Sequence, residues 1–249
     1  MIDLYLSALR GDEPTLREGI LLGADVNVRG EDAITPLTAA AMSMQPSCAR
    51  ALLEAGARPD LGDANGNTAL MVACARQDAE MSALLLGFGA NPNILNLDGQ
   101  TALSLAVAQD GVDALNIARM LLAEKADPNL WGARGAPPLS LAASLEMAKL
   151  LLSAGADPNA QDQHGETALM ISAGLGQKDK CEILLDAGAE IDFIDKQGRS
   201  AIERAEQLRQ EQPEILDLLL RSLASMEQSA IGENAGDPGA SESSGHQRI

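Results

Sequence analysis

The chain has 249 residues, of which 36 are acidic and 18 basic, and its formal net charge is −18. A surface this acidic repels phosphate backbones and anionic lipids, which argues against direct nucleic-acid binding and electrostatic attachment to membranes. Hydrophobic residues make up 46% of the chain but aromatic residues only 2%, so the core must be built from Ala, Leu, Ile, Val and Met.

The cysteines, the N-terminal residues and the lengths of the apolar stretches indicate the cellular compartment in which the protein is expected. The three cysteines are an odd number without a C-x-x-C pair, so neither a disulfide framework nor a zinc knuckle is indicated. The first residues lack a basic region followed by an apolar run, and no later stretch approaches the roughly 18 apolar residues of a membrane span. We therefore expect a soluble, cytoplasmic protein.

Two phrases recur in phase along the chain. The first is Leu-Leu-x-x-Gly-Ala or a close variant, and its alanine falls at Ala24, Ala57, Ala90, Ala126, Ala156 and Ala189. The second is Thr-(Pro/Ala)-Leu or a variant, and it begins at Thr35, Thr68, Thr101, Pro137, Thr167 and Ser200. The alanines follow one another at steps of 33, 33, 36, 30 and 33 residues, which predicts a stack of similar structural units.

In chain order, the first predicted elements are two helices, near Asp3 to Arg10 and Thr15 to Leu22. They form a divergent N-terminal capping unit of residues 1–29. Five internal units follow over residues 30–194. In each, the Thr or its equivalent caps a first helix rich in small residues, and a second helix ends in a Leu-Leu pair. A glycine after that pair supplies a left-handed C-cap, as at Gly56, Gly89, Gly155 and Gly188.

The later units carry an insertion, a deletion and a second cap. Three extra residues lie around 110–112, and three are missing near Ser144, so the register recovers after one unit. Residues 195–226 form a C-terminal capping unit, whose charged helices suit an end on which nothing stacks. Residues 227–249 are a polar, acidic tail that we expect to be disordered.

These phrases resemble those of the ankyrin-repeat family, whose unit is a β-turn followed by two antiparallel helices. The family phrase Asp-x-x-Gly-x-Thr-Pro-Leu-His-x-Ala-Ala is matched best by residues 63–74 and 162–173. The family's His is replaced throughout, by Thr38, Met71, Ser104, Ser140, Met170 and Glu203. The resemblance covers about residues 2–225 and implies an all-α repeat solenoid of six to seven units, caps included.

No motif supplies catalytic or metal chemistry. The Gly-rich stretch 172–178 lacks the spacing of a phosphate-binding loop. The two histidines, His164 and His246, have no second His or Cys at ligand spacing, and neither offers an oriented base for a cysteine nucleophile. We therefore expect a protein without enzymatic activity, cofactor or metal.

The resemblance implies partner binding on a concave face made of turn tips and first helices. Leu95 and Leu97 are apolar at one tip, and Trp131, the only Trp, stands with Arg134 in the next turn. Trp131 either anchors an interface or folds back over its own turn. The predicted contact residues are Leu95, Leu97, Gln100, Trp131, Arg134 and His164 at the turns, and Met42, Arg76, Gln109 and Leu145 at inward positions of the first helices.

Two functional hypotheses follow. The first is a non-enzymatic interaction module that binds another protein through its concave face, around the turns near residues 95–136. The alternative is an inhibitor or immunity-type protein that neutralises a basic enzyme or toxin through its acidic surface. Both hypotheses predict a protein partner, which the net charge allows to be basic. A monomer is expected, because a capped solenoid has no need to oligomerise.

Overall fold

The computed structural model describes residues 2–132 and 135–234, and within these ranges every regular element is a helix. The α-helices form seven pairs, and a short 3₁₀ helix, Glu31–Ala33, precedes the second pair. The first helices of the pairs are α1 (Leu4–Arg10), α3 (Pro36–Met42), α5 (Ala69–Ala75), α7 (Ala102–Val107), α9 (Pro138–Leu141), α11 (Ala168–Gly174) and α13 (Ala201–Gln207). The second helices are α2 (Glu13–Leu21), α4 (Pro46–Glu54), α6 (Ala79–Gly87), α8 (Val112–Ala123), α10 (Leu145–Ser153), α12 (Lys178–Asp186) and α14 (Pro213–Asn234).

The helix boundaries follow from the capping residues. At five of the six predicted starts, a hydroxyl accepts a hydrogen bond from the backbone amide three residues on, and these N-caps are Thr35, Thr68, Thr101, Thr167 and Ser200. The exception is Pro137, which has no side-chain oxygen to offer. Beyond the second helices, the predicted glycines have φ of 80° to 89°, a left-handed conformation that suits glycine because it has no Cβ.

Stacking joins the pairs into a single row. Each first helix packs on the first helix of the next pair, and each second helix packs on its own neighbours in the same way. Among the described residues, every substantial helix contact lies within one pair or between adjacent pairs. Fully buried small residues, such as Ala40, Ala73, Cys74 and Ala106, allow the first helices to approach closely. The core is therefore one continuous apolar cluster along an all-α repeat solenoid.

The insertion and the deletion change two helices. Helix α8 has 12 residues where α6 and α10 have nine, and α9 has only four. The deletion removes the last turn of that first helix, so Leu145 begins the second helix, α10. Our placement of Leu145 at an inward position of a first helix was therefore wrong.

A buried lysine compensates for the shortened helix α9. The backbone carbonyl of Ala142, at the end of α9, accepts a hydrogen bond of 2.8 Å from the Lys180 ammonium of the following unit. Lys180 is buried, and this burial lowers its pKa below the usual lysine value. The lysine thereby satisfies a carbonyl that a longer helix would have paired internally.

The last helix runs further than the sequence predicted. Helix α14 continues to Asn234, so the boundary predicted between residues 226 and 227 falls inside a helix. Extending an existing helix costs far less than starting one, because each added residue gains a backbone hydrogen bond. The rest of the predicted tail, residues 235–249, lies outside the described residues. In the part of the chain that is described, no helix combines the length and the apolarity needed to cross a membrane.

Candidate functional site

The turns between units are joined edge to edge by backbone hydrogen bonds. An amide in one turn donates to a carbonyl in the preceding turn at 2.7–2.9 Å, in the pairs Ala64 to Asp32, Leu97 to Asn65 and Lys196 to His164. These bonds satisfy backbone groups that water would otherwise solvate. They hold the turn tips in a fixed row along one edge of the stack.

A side-chain bond at the first position of most turns fixes their shape. The Oδ1 atom of Asp63 accepts the amides of Asn65 and Asn67 at 2.9 and 2.8 Å. The same pair of bonds forms at Asn96, Asp162 and Asp195. This arrangement stabilises tight turns because the carboxylate or amide oxygen replaces a backbone acceptor.

The fourth internal turn is built differently. Gly132 stands where its neighbours have Asp or Asn, so the turn after Trp131 lacks this side-chain acceptor. Instead, the Gly132 amide donates to the Gly99 carbonyl at 3.0 Å. A Cβ on Gly132 would lie 2.7 Å from the Gly99 Cα, so close backbone packing replaces the side-chain bond at this joint.

Three apolar side chains lie at these two adjacent turns, and we call them the tip patch: Leu95, Leu97 and Trp131. Leu95 is 40% exposed and Leu97 is 67% exposed. Trp131 is half-buried. Leu95 and Trp131 occupy the same position of successive units, and the bond between Gly132 and Gly99 joins their turns directly.

The remaining predicted turn residues differ in their environment. Gln100 is half-buried and its Oε1 atom accepts a hydrogen bond from the side-chain amide of Asn96, so it braces its own turn. His164 is exposed, while its backbone carbonyl accepts the bond from Lys196. Arg134 lies outside the described residues. Ile194 was not among the predicted contact residues, but it is exposed and occupies the same repeat position as Leu95 and Trp131.

The predicted residues of the first helices lie near the ends of those helices. Met42 is the last residue of α3, Arg76 is the C-cap of α5, and Gln109 lies beyond the end of α7. All three are exposed, so they are accessible from solvent. Leu145, at the start of α10, is half-buried and does not share their position.

An ion-pair cluster between the last two units was not predicted. The Arg204 guanidinium donates to Asp195 Oδ2 at 2.7 Å and to Glu166 Oε1, and Arg199 donates to the same Asp195 oxygen at 2.9 Å. Burial acts to raise the pKa of Asp195, but bonds from the Arg199 and Gln197 amides and the two guanidinium groups outweigh it and hold that pKa well below its usual value. The cluster is internally paired, so we assign it a structural role.

The cysteines are not arranged for chemistry. All three are free and buried. Burial raises the pKa of Cys74 and of Cys181 to about 12, so both remain neutral thiols near pH 7 and are poor nucleophiles. Within residues 2–132 and 135–234, no group of three or more His, Cys, Asp or Glu side chains could hold a metal ion.

Comparisons with known proteins agree on one architecture. A family model described as ankyrin repeats (3 copies) matches residues 4–96, 56–131, 80–162 and 139–229. The ankyrin repeat domain of Bcl-3, described as a unique member of the IkappaB protein family, is 28% identical with a TM-score of 0.74, and the match covers 88% of this chain and 97% of that one. The human ASB11 ankyrin repeat domain is 25% identical with a TM-score of 0.71, covering 88% and 96%. Among proteins of curated function, none matches by sequence.

Proposed function

The chain belongs to the ankyrin-repeat family, and from that premise we propose that it is a non-enzymatic module that binds another protein at the turns of residues 95–136 on its concave face. Ankyrin-repeat domains generally mediate protein–protein interactions. The observation that supports this location is the tip patch, where Leu95 and Leu97 are exposed and the half-buried Trp131 lies in the adjacent turn. Exposed apolar side chains that lie together commonly mark interaction sites.

The rigidity of the turn row favours binding. Backbone hydrogen bonds already fix the turns of Leu97 and Gly132 against the preceding turns. A partner that docks on the turn of Leu97 does not have to order a flexible loop, so less of the contact energy is lost to entropy. Trp is among the side chains that most often dominate interface energies, and Trp131 lies in the turn that is bonded to the turn of two exposed leucines.

The proposal also covers the compartment, the oligomeric state and the charge of the partner. We place it in the cytoplasm, because its three cysteines are free and buried and therefore suit a reducing compartment. We propose a monomer, because a solenoid that ends in capping units has no need to oligomerise. The net charge of −18 favours a partner with a basic surface, since opposite charges accelerate association and like charges disfavour the binding of acidic proteins. The partner then contacts the tip patch with apolar side chains, and basic side chains can approach Asp98, which is exposed in the turn of Leu97.

The test is partner capture from the native source followed by affinity measurement with matched variants. The double variant Leu97→Ser/Trp131→Ala removes the tip patch, and Leu175→Ser removes an equally exposed leucine at the C-terminal end of α11. We expect the double variant to weaken binding by about 2 kcal/mol or more, as at an interface hot spot, and Leu175→Ser to leave it unchanged. An equal loss of binding affinity in the double variant and in Leu175→Ser would contradict the proposal. If circular dichroism shows that the double variant is unfolded, the single variant Leu97→Ser replaces it, and unchanged binding by that variant would contradict the proposal.

The charge favours a second candidate function, the neutralisation of a basic enzyme or toxin. Acidic residues outnumber basic ones by 36 to 18, so a long-range field surrounds the stack. Under this function the dissociation constant should rise steeply with salt, because screening weakens each exposed pair. If the double variant Leu97→Ser/Trp131→Ala reduces the binding free energy by the same amount at low and at high salt, the result supports binding through the tip patch instead.

A further inference from the structure

A mostly apolar cavity opens at the N-terminal end of the stack. It has a volume of about 600 Å³ and lies where the start of α1 meets the loop after α2. The apolar residues that line it are Ile2, Leu4, Tyr5, Ala24 and Val28. This volume is typical of sites that receive a ligand or a large side chain.

Comparison with the next unit shows that apolar residues at and near this cavity are less covered than their repeat equivalents. Adding one 33-residue unit to Leu6 gives Ala39, which is fully buried because α1 packs on α3. Leu6 itself is 39% exposed, and Val28 is exposed where its equivalent Leu61 is half-buried. The first unit therefore keeps apolar side chains at positions that an adjacent unit covers elsewhere in the stack.

The end of α2 extends the apolar character of this unit. Leu21 is 86% exposed and Leu22 is 73% exposed. The next unit has Glu54 and Ala55 at the equivalent positions, so packing within the stack does not require large apolar residues there. Apolar side chains that the fold does not need, and that face solvent, indicate contact with another molecule.

Carboxylates surround the cavity. Asp3, Asp25 and Glu31 line it directly, and exposed Glu18 lies on the α2 helix of the same unit. Among the ion pairs of the described residues none involves these four groups, whereas Arg17 is paired with Glu13 and Glu54. Arg29 is the basic residue of the adjoining loop, so acidic groups outnumber it at this end.

This charge selects among the possible occupants. A second copy of the chain carries the same acidic excess and would be repelled. The C-terminal residues 235–249 follow α14 at the opposite end of the stack and contain more acidic than basic side chains. A basic partner segment gains attraction from the carboxylates and places an apolar side chain in the cavity.

We propose that the N-terminal end of the stack, the cavity between the start of α1 and the loop of residues 24–31, is a second docking surface that receives a basic, amphipathic segment of a partner protein. This surface is separate from the tip patch and does not depend on it. A partner segment with apolar residues on one helix face and Lys or Arg on the other meets both requirements of the surface.

The experiment is an amide NMR titration of the full chain with synthetic peptides. The probe is an amphipathic peptide of Leu and Lys, about 14 residues long, and its controls are a Lys–Ser peptide of equal charge and a Leu–Glu peptide. We expect saturable shifts confined to residues 2–31 with the Leu–Lys peptide, at least tenfold weaker binding of the Lys–Ser peptide, and no binding of the Leu–Glu peptide. Equal affinity for both lysine peptides, or shifts spread along the acidic stack, would overturn the proposal.

Matched variants complete the test. Val28→Ser reduces the apolar wall and Glu31→Lys reverses one charge at the cavity, while Leu175→Ser and Glu206→Lys make the same changes at exposed positions away from it. We expect each cavity variant to weaken the Leu–Lys peptide at least fivefold and each control to leave it unchanged. Equal effects of cavity and control variants, or a dimer in sedimentation experiments that blocks the peptide, would overturn the proposal. Neither outcome decides the proposal for the tip patch, because that proposal is tested separately with the Leu97→Ser/Trp131→Ala variant, which keeps the cavity intact.

Discussion

At the scale of single residues, two buried charges connect adjacent units. Asp195 receives two guanidinium groups and two backbone amides, so its charge is paired and hydrogen-bonded. Within residues 2–132 and 135–234 Lys180 forms no ion pair with a carboxylate, and its ammonium donates to the carbonyl of Ala142 instead. Both side chains satisfy a polar group that would otherwise be buried without a partner, which is expensive in a low-dielectric interior.

The Asp195 cluster should make the stability of the last units depend on pH. The folded state lowers the pKa of Asp195, so its stabilising effect is fully present above the unfolded value of about 3.9 and is lost as pH falls through the folded pKa. We expect Asp195→Asn to lower the urea midpoint at pH 7 and to differ less from the wild type at pH 3. Urea unfolding followed by circular dichroism measures this, with the exposed Asp217→Asn as a control. A constant difference across this pH range would contradict the prediction.

At the scale of structural elements, the unit of α9 and α10 departs most from the repeat. Helix α9 has four residues and no side-chain N-cap, and the turn before it has glycine where the turns on either side of it have Asn96 and Asp162. The Ala143 amide also donates to the Val107 carbonyl of the preceding unit at 3.0 Å. Contacts between units therefore replace local contacts that the deletion removed.

The close approach of the Gly132 and Gly99 backbones should be intolerant of a methyl group. The Cβ of Gly132→Ala would lie 2.7 Å from the Gly99 Cα, and neither backbone can yield without moving its turn. We expect a loss of about 1–3 kcal/mol of stability, typical of overpacking, together with a changed emission of Trp131, which is adjacent. Chemical unfolding and the fluorescence spectrum measure the two effects.

The matched glycine substitution should have the opposite sign. A Cβ at Gly87, the last residue of α6, meets no atom within 4 Å, and its φ is not positive. Gly87→Ala should therefore stabilise the protein by about 0.5–1 kcal/mol, because alanine loses less backbone entropy on folding. If Gly132→Ala proved as stable as Gly87→Ala, the turns would not be in the close contact described above.

At the scale of the whole molecule, nearest-neighbour packing determines shape. Every substantial helix contact among residues 2–132 and 135–234 joins helices of the same or adjacent pairs. The apolar core of such a stack runs along its length and is not gathered at one centre. The length of the stack therefore grows with the number of units, and its stability is roughly a sum over units and interfaces. A partner can then contact several units at once along one edge.

Small-angle scattering should detect this elongation. A compact domain of the same length would have a radius of gyration of about 18 Å, and we expect a value clearly above it because the units stack in one direction. Measurements over a concentration series also test the proposed monomer, since association raises the forward scattering. A concentration-independent radius near that of the compact domain would contradict the stacked arrangement.

Much of the fold was accessible from the sequence because its determinants are local. Each Thr N-cap, each left-handed glycine and each buried small residue acts within its own turn or against the adjacent helix, and the 33-residue period repeats these signals. The turn positions of Leu95, Leu97 and Trp131 were also accessible from the sequence, whereas the exposure of the two leucines and the partial burial of Trp131 came from the structure, and their role in binding stays a prediction. The helix that carries Leu145 was not, because the deletion shortened α9 rather than the turn that follows it.

The sequence by itself determined the repeated helix pairs, their order and the acidic charge, because periodicity and composition carry that information along the chain. Only the tertiary structure revealed the cavity at the N-terminal end, the bond from Lys180 to Ala142 and the Arg204 cluster, because each joins residues of different units or different elements. Such contacts depend on how two units meet in space. No local pattern encodes that geometry, and stacking decides it when the apolar faces of adjacent units are buried against each other.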